Sequence, residues 1–98
     1  MAQPPVTVHP EAISEARAAY DWYQERNETV AVAFFAELDH AVQAISEAPR
    51  RWPVYLHGTR RFLLKKFPFA VVYREIGQGI QIVAIAHGRR RPGYWKGR

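Results

Sequence analysis

The sequence predicts an α+β fold in which a helical hairpin packs on an antiparallel sheet, with its elements in the order β-α-α-β-β-β. Apolar residues recur at helical spacing between residues 10 and 48, whereas aromatic and β-branched residues typical of strands dominate from residue 60 onward. The chain has 98 residues, of which 48% are hydrophobic, and this length suits one domain with one core. We therefore expect a single domain over residues 1–98, with residues 1–5 disordered and residues 87–98 forming a basic C-terminal tail.

The first half of the chain predicts one strand and two helices. Val6–Val8 has strand character but is short, which indicates a strand at an edge of the sheet. Pro10 favours a helix start, and an apolar stripe follows it until a break at residues 26–28. Thr29 is the expected cap of a second helix, which Pro49 ends. Because the link between the two helices is short, we expect them to pack as an antiparallel hairpin.

The second half predicts three strands. An irregular, basic connection leads to residues 60–67, 69–75 and 80–87, which are rich in aromatic and β-branched residues. Gly77-Gln78-Gly79 provides a turn between the last two segments. We therefore expect a meander of three antiparallel strands with the hairpin on one face of the sheet.

Charge is divided unevenly along the chain. Residues 1–47 contain eight acidic and two basic residues, a net charge of −6, whereas residues 48–98 contain twelve basic residues and one acid, a net charge of +11. A solvated basic face is the simplest interpretation, but so large an excess of bases is more than solubility requires. We therefore expect the second half to bind an anionic partner.

Composition also excludes several classes of protein and site. No stretch approaches the ~20 apolar residues of a membrane span, and the N-terminal segment lacks the features of a secretory signal. The absence of cysteine removes disulfides, thiol catalysis and the common zinc sites. His9, His40 and His57 do not have metal-ligand spacing. We expect a cytoplasmic protein that binds no membrane, no metal and no cofactor.

Two segments of the second half resemble a known family. Residues 60–74 read Arg-Arg-Phe-Leu-Leu-Lys-Lys-Phe-Pro-Phe-Ala-Val-Val-Tyr-Arg, and residues 83–90 read Val-Ala-Ile-Ala-His-Gly-Arg-Arg, followed by Pro92 and Tyr94-Trp95. In this order and spacing they resemble the RelE/ParE toxin superfamily of type II toxin-antitoxin systems, which includes plasmid stabilisation proteins. The resemblance covers nearly the whole chain and implies the same β-α-α-β-β-β order.

The resemblance implies a small basic toxin that arrests growth when free and is held inactive by a cognate antitoxin protein. It also allows a homo-oligomer within the toxin-antitoxin complex. The uneven charge agrees with this, because an antitoxin that brings acidic and apolar side chains would mask the basic half.

The superfamily divides by target, and the resemblance implies either of two activities. The RelE-like branch cleaves messenger RNA on the ribosome, whereas the ParE-like branch poisons DNA gyrase without a nuclease site. Cleavage by a ribose 2′-hydroxyl needs a group that takes its proton, cations for the phosphorane charge and a donor for the leaving oxygen. The nuclease branch supplies these with two lysines on the first meander strand, an arginine on the next, an arginine after the last strand and a tyrosine in the tail.

This chain matches that pattern only in part. Arg61 and Leu63 occupy the lysine positions, Ala70 the strand arginine, Arg89 the arginine after the last strand, and Tyr94 or Trp95 the tyrosine. An apolar side chain at two of these places cannot stabilise phosphate charge, so the residues favour inhibition of a protein target such as DNA gyrase. Whether the chain is an enzyme stays open; if it is, we expect an mRNA endoribonuclease with the catalytic residues Arg61, His87, Arg89 and Tyr94.

His87 has two interpretations. Its imidazole can exchange protons near neutral pH and stands close to Arg89, which would suit catalysis. A histidine that closes a buried strand more often satisfies a backbone group or caps the sheet, and we favour this interpretation.

Binding of a target or of nucleic acid is expected from the following side chains: Lys65, Arg74, Arg89, Arg90, Arg91 and Trp95. Each basic residue taken alone also fits a solvated surface charge. Tyr94 and Trp95 either stack on a partner or fold back over the sheet. A third function from another class is a non-toxic, basic module that binds nucleic acid.

Overall fold

The computed structural model describes residues 3–98 and has the expected order of elements. The chain forms β1 (Val6–Val8), α1 (Pro10–Arg26), α2 (Glu28–Glu47), a 3₁₀ turn (Leu56–Gly58), β2 (Arg60–Leu63), β3 (Phe69–Ile76) and β4 (Gly79–His87). The four strands form one sheet in the order β1-β4-β3-β2, which places β1 at an edge as predicted. Neither helix of the described part is long and apolar enough to cross a membrane.

The sheet is mixed, which corrects the expectation of an antiparallel sheet. Strands β2, β3 and β4 form the antiparallel meander that the sequence predicts, whereas β1 pairs with β4 in parallel. The two antiparallel pairs are joined by turns that fix their direction. Strand β1 leads into α1 instead, so no turn constrains its direction relative to β4.

The prediction that residues 1–5 are disordered covers two residues outside the described part of the chain and three residues within it. Met1 and Ala2 lie outside the described residues. Gln3 accepts a hydrogen bond at its Oε1 from Ser46 Oγ (3.0 Å), and the Pro5 carbonyl accepts the Ile80 N–H (2.9 Å). The segment that enters β1 is therefore held to both layers of the fold.

The second helix begins one residue before the expected cap. Asn27, and not Thr29, caps α2: its Oδ1 accepts the N–H of Thr29 (2.9 Å) and of Val30 (3.3 Å). An asparagine in extended conformation satisfies the free amides of the first turn, which is the usual task of a helix cap.

Strand β2 is shorter than predicted and ends at Leu63, whereas the sequence suggested a strand up to Phe67. The carboxylate of Glu37 on α2 accepts the backbone N–H groups of Lys65 and Lys66. These amides are therefore bonded to a helix side chain and are lost to the strand pairing, so the chain turns before β3.

The main core lies between the hairpin and the sheet. Phe34 is fully buried at its centre, with the rings of Tyr23, Phe67 and Phe69 at centroid distances of 5.1–5.3 Å from one another or from Phe34. Aromatic residues provide much buried area per side chain, which a domain of this size needs.

The opposite side of the sheet, the open face, has a smaller core of its own. Val72 pairs with Ala84 and Tyr73 with Ile82, so Val83 is an extra residue in β4 and forms a β-bulge. As a result Val83 and Ala84 both belong to the second buried cluster, together with Val72 and Trp95. The bulge thus enlarges the apolar surface that the C-terminal tail covers.

Candidate binding groove on the open sheet face

The C-terminal tail folds back over the open face. Trp95 is 3% exposed and packs on the sheet, with its ring 5.5 Å from the ring of Tyr55. Of the two alternatives for the tail, the structure therefore has the one in which the tail completes a small core. The ring of Trp95, expected to contact a target, is not accessible in this arrangement.

An ion pair fastens the tail to the first helix. Arg98 donates from Nη1 and Nη2 to the two carboxylate oxygens of Glu15, at 2.9 and 3.0 Å. Tyr94 donates its hydroxyl to the same carboxylate at 2.6 Å. Both charged side chains are largely buried, with Arg98 at 10% and Glu15 at 16% exposure. We call this arrangement the tail latch.

The tail latch also covers a free strand edge. Strand β1 pairs with residues 80–82 of β4, so the remainder of β4 has no strand beside it on that edge. There Glu15 Oε1 accepts the Ile85 N–H (3.0 Å), and Arg98 Nη1 donates to the Val83 carbonyl (3.1 Å). The two side chains thus satisfy backbone groups that a neighbouring strand would otherwise bind, which protects the edge from pairing with other chains.

The latch sets the protonation of its members. Burial alone would raise the pKa of Glu15, but hydrogen bonds from Arg98, Tyr94 and the Ile85 N–H outweigh burial and lower it. Burial, followed by the hydrogen bond to Glu15, raises the pKa of Tyr94 well above its ordinary value. Glu15 is therefore ionised at neutral pH, and the Tyr94 hydroxyl stays protonated as its donor.

Between β2 and the tail the open face forms a groove of about 290 Å³, the open-face groove. Its floor consists of small apolar side chains, namely Ala70, Val72 and Ala86. Arg61 and Leu63 line the β2 side, and Tyr55, Arg90, Arg91, Tyr94 and Trp95 are among the other lining residues. None of the described residues that line it is acidic.

Aromatic rings hold two arginines at the rims of this groove. The Arg61 guanidinium lies 4.0 Å from the centroid of the Tyr55 ring, and the Arg90 guanidinium lies 3.8 Å from that of Tyr94. Such cation–π contacts restrict a flexible side chain while leaving its N–H donors free. The groove therefore has positioned cations on both sides of an apolar floor.

His87 lies at one end of the groove with one ring nitrogen already bonded. Its Nδ1 accepts the Arg89 N–H at 3.0 Å, and its ring packs edge-on against Phe69 at 5.0 Å. In the neutral ring this bond places the hydrogen on Nε2, which leaves no free lone pair to accept a proton. In this arrangement His87 thus satisfies a backbone group through Nδ1.

The structure brings together some of the expected site residues and separates others. Arg61, His87, Arg90 and Arg91 line the groove, whereas Arg89 is exposed next to it. Lys65, also expected to bind a target, does not line the groove, because β2 ends at Leu63 and the turn carries Lys65 to the side of α2.

Arg74 lies on the open face but is bonded within the protein. It donates from Nε to Gln81 Oε1 (2.9 Å) and from Nη2 to the main-chain oxygen of Arg98 (2.9 Å). In this position Arg74 supports the tail, and its guanidinium does not line the open-face groove. Its expected contact with a target is therefore without structural support.

Sequence reasoning missed three residues that build the site. Glu15 and Arg98 form the latch although they are 83 residues apart in the chain, and Tyr55 lies in the irregular connection before β2. No local pattern marks such pairs, because their partners are set by tertiary structure. Glu15 follows the buried Ala12 by three residues and precedes the buried Ala19 by four, so an acid at helical spacing between apolar positions was an available signal.

Known proteins share the fold and the family of this chain. The family described as the ParE toxin of the type II toxin-antitoxin system, parDE, matches residues 6–92 of the chain. A solved structure titled "Chromosomal ParDE TA system from P. aeruginosa" has a chain that superposes with a TM-score of 0.76 at 21% identity, covering 87% of this chain and 96% of that one. No match was found among the curated proteins.

The family match spans most of the chain and includes every helix and strand of its described part. It ends at residue 92, within the C-terminal tail. The structural match supports the fold, with two helices on a four-stranded mixed sheet. A toxin of such a system has a cognate antitoxin as its partner. The chain belongs to the ParE toxin family of type II toxin-antitoxin systems.

Proposed function

We propose that this ParE-family chain arrests growth by binding and inhibiting a protein target such as DNA gyrase, and that it acts in the cytoplasm until a cognate antitoxin masks it. The open-face groove carries the proposal: it has positioned arginines at its rims and an alanine floor where a nuclease needs further cations. Such a surface can bind a partner, but it lacks the groups that RNA cleavage requires.

The argument against cleavage concerns the fate of the proton and of the phosphorane charge. Leu63 and Ala70 place apolar side chains beside the groove, where they cannot stabilise a negative charge. The hydroxyl of Tyr94 is bonded to Glu15 and His87 Nδ1 is bonded to the Arg89 N–H. Neither residue is therefore free to take a proton from a ribose hydroxyl.

The proposal is tested first in cells. Induction of the chain without an antitoxin should stop growth, and co-expression of the antitoxin encoded beside it should restore growth. Normal growth at confirmed soluble expression of the chain alone would contradict a toxin of any kind.

The target is tested with purified protein. The chain should inhibit the supercoiling activity of DNA gyrase, and the double variant Arg61→Ala/Arg90→Ala should inhibit it less. Arg17→Ala is the matched control, because it also removes a positive charge but lies on the hairpin. Unchanged supercoiling together with new transcript 5′ ends soon after induction would instead support the ribonuclease function.

A further inference from the structure

We propose that the open-face groove binds an extended peptide segment in which acidic residues alternate with small apolar ones. The carboxylates would bind Arg61 on one rim and Arg90 or Arg91 on the other, and an apolar side chain between them would lie on the floor. The proposal rests on the proposed function only in that the partner is a protein.

Charge favours an acidic partner. Arg61, Arg90 and Arg91 line the groove, and no acidic side chain among the described lining residues neutralises them. Guanidinium groups bind carboxylates through two parallel hydrogen bonds, and Arg61 and Arg90 are already restrained by the rings beneath them. Less side-chain entropy is therefore lost when a carboxylate binds.

The floor favours a small apolar side chain. Ala70, Val72 and Ala86 have no polar side-chain atoms, and the neighbouring Leu63 is 60% exposed. An exposed leucine next to an alanine floor is stabilised by burial under an apolar group, whereas a ribose or phosphate placed there would lose hydrogen bonds to water. The partner therefore combines carboxylates with apolar side chains.

The aromatic rings of the groove argue against single-stranded nucleic acid. Binding of bases depends on free ring faces, on which each base stacks. The Tyr55 ring contacts Arg61 and Trp95, and the Tyr94 ring contacts Arg90, Arg98 and Trp95. Because Trp95 is itself buried, these rings serve to hold arginines and the tail, and they are not a stacking surface.

The arrangement of the groove favours an extended segment, because its cations lie on two rims with an apolar floor between them. An extended chain directs alternate side chains to opposite sides, so every second residue reaches the floor. We therefore expect acidic residues to flank each floor residue.

A library of random peptides displayed on phage can test the proposal against the purified full-length chain. Selected peptides should be enriched in Asp and Glu next to Ala, Val or Leu. By fluorescence anisotropy, the best peptide should bind about tenfold more weakly to Arg61→Ala and to Arg90→Ala, as loss of a charge-assisted hydrogen bond predicts. It should also bind more weakly to Leu63→Ser, and equally well to the hairpin control Arg17→Ala.

Three results would overturn the proposal: selection of peptides without acidic residues, equal binding of the best peptide to Arg61→Ala and Arg17→Ala, or tighter binding of single-stranded RNA through the same arginines. Arg90 and Leu63 are exposed, so these variants should fold, and a thermal melt of each one checks this. The supercoiling assay is independent of the selection. Arginine-dependent peptide binding without effect on gyrase would leave the groove proposal standing and would contradict the proposed target.

Discussion

Arg98 and Glu15 form a bidentate ion pair, with nitrogen–oxygen distances of 2.9 and 3.0 Å, that joins the C-terminal tail to the first helix. The same two side chains bind the Ile85 N–H and the Val83 carbonyl on the free edge of β4. The pair therefore performs two tasks, since it protects a strand edge and holds the tail that forms one wall of the open-face groove.

Replacement of Arg98 by alanine should destabilise the protein by about 2–3 kcal/mol. Loss of one partner leaves the Glu15 carboxylate and the Val83 carbonyl partly buried with fewer donors, and such groups are costly. Urea unfolding measures the change.

Arg26→Ala is the matched control for Arg98→Ala. Its ion pair with Glu25 is exposed, at 52% and 76%, so the expected cost is below about 1 kcal/mol. Equal destabilisation by the two substitutions would show that the latch contributes no more than an ordinary surface pair.

The stability conferred by Glu15 should disappear in acid. Its pKa is lowered from an ordinary value of 4.5, so the folded state binds a proton less readily than the unfolded state. The contribution is therefore complete above about pH 4.5 and is lost as the pH falls through the lower pKa of the folded protein. Unfolding curves of the native chain and of Glu15→Gln should differ at pH 7 and converge as the pH falls below about 4.5. A difference that stays constant with pH would contradict an ionised Glu15 in the latch.

Trp95 should tolerate phenylalanine far better than alanine. Its indole Nε1 is buried and has no hydrogen-bond partner among the described residues. Removal of this unsatisfied donor offsets part of the lost apolar area, so we expect Trp95→Phe to cost less than about 1.5 kcal/mol.

Trp95→Ala provides the comparison, because it should cost about 3 kcal/mol or more by leaving a cavity over Val72 and Val83. Thermal or urea unfolding compares the two variants. If Trp95→Phe lowered the free energy of unfolding as much as Trp95→Ala, the indole nitrogen would have to have a hydrogen-bond partner.

The sequence predicted those parts of the fold that depend on local pattern. The strand Val6–Val8, the start of α1 at Pro10 and the order of the meander follow from residue type and periodicity, and all are confirmed. The predicted end of β2 at Phe67 was wrong, because Glu37 on α2 accepts the backbone N–H groups of Lys65 and Lys66. A hydrogen-bond acceptor on another element does not alter the residue pattern of the strand itself. The pattern therefore could not show where β2 ends.

The candidate site was predictable to a similar extent. Arg61 and Arg90 were both expected site residues, and strand alternation in β2 and the end of β4 place them at one groove. Tyr55, which holds Arg61, lies in an irregular connection, so neither its position nor its contact could be inferred. The tail latch could not be predicted, because its prediction requires knowing that the C-terminal tail returns across the sheet to Glu15.

The start of the second helix gives a test of a single hydrogen-bonded cap. Asn27→Ala removes the side-chain oxygen that accepts the Thr29 and Val30 N–H groups, and it should destabilise the protein by about 1 kcal/mol. Thr29→Ala should be nearly neutral, because Thr29 contributes its backbone N–H to the cap and alanine keeps it. Comparison of their urea midpoints assigns the cap. A larger effect at Thr29 would show that Thr29 caps α2, as the sequence alone suggested, and that the Asn27 side chain does not.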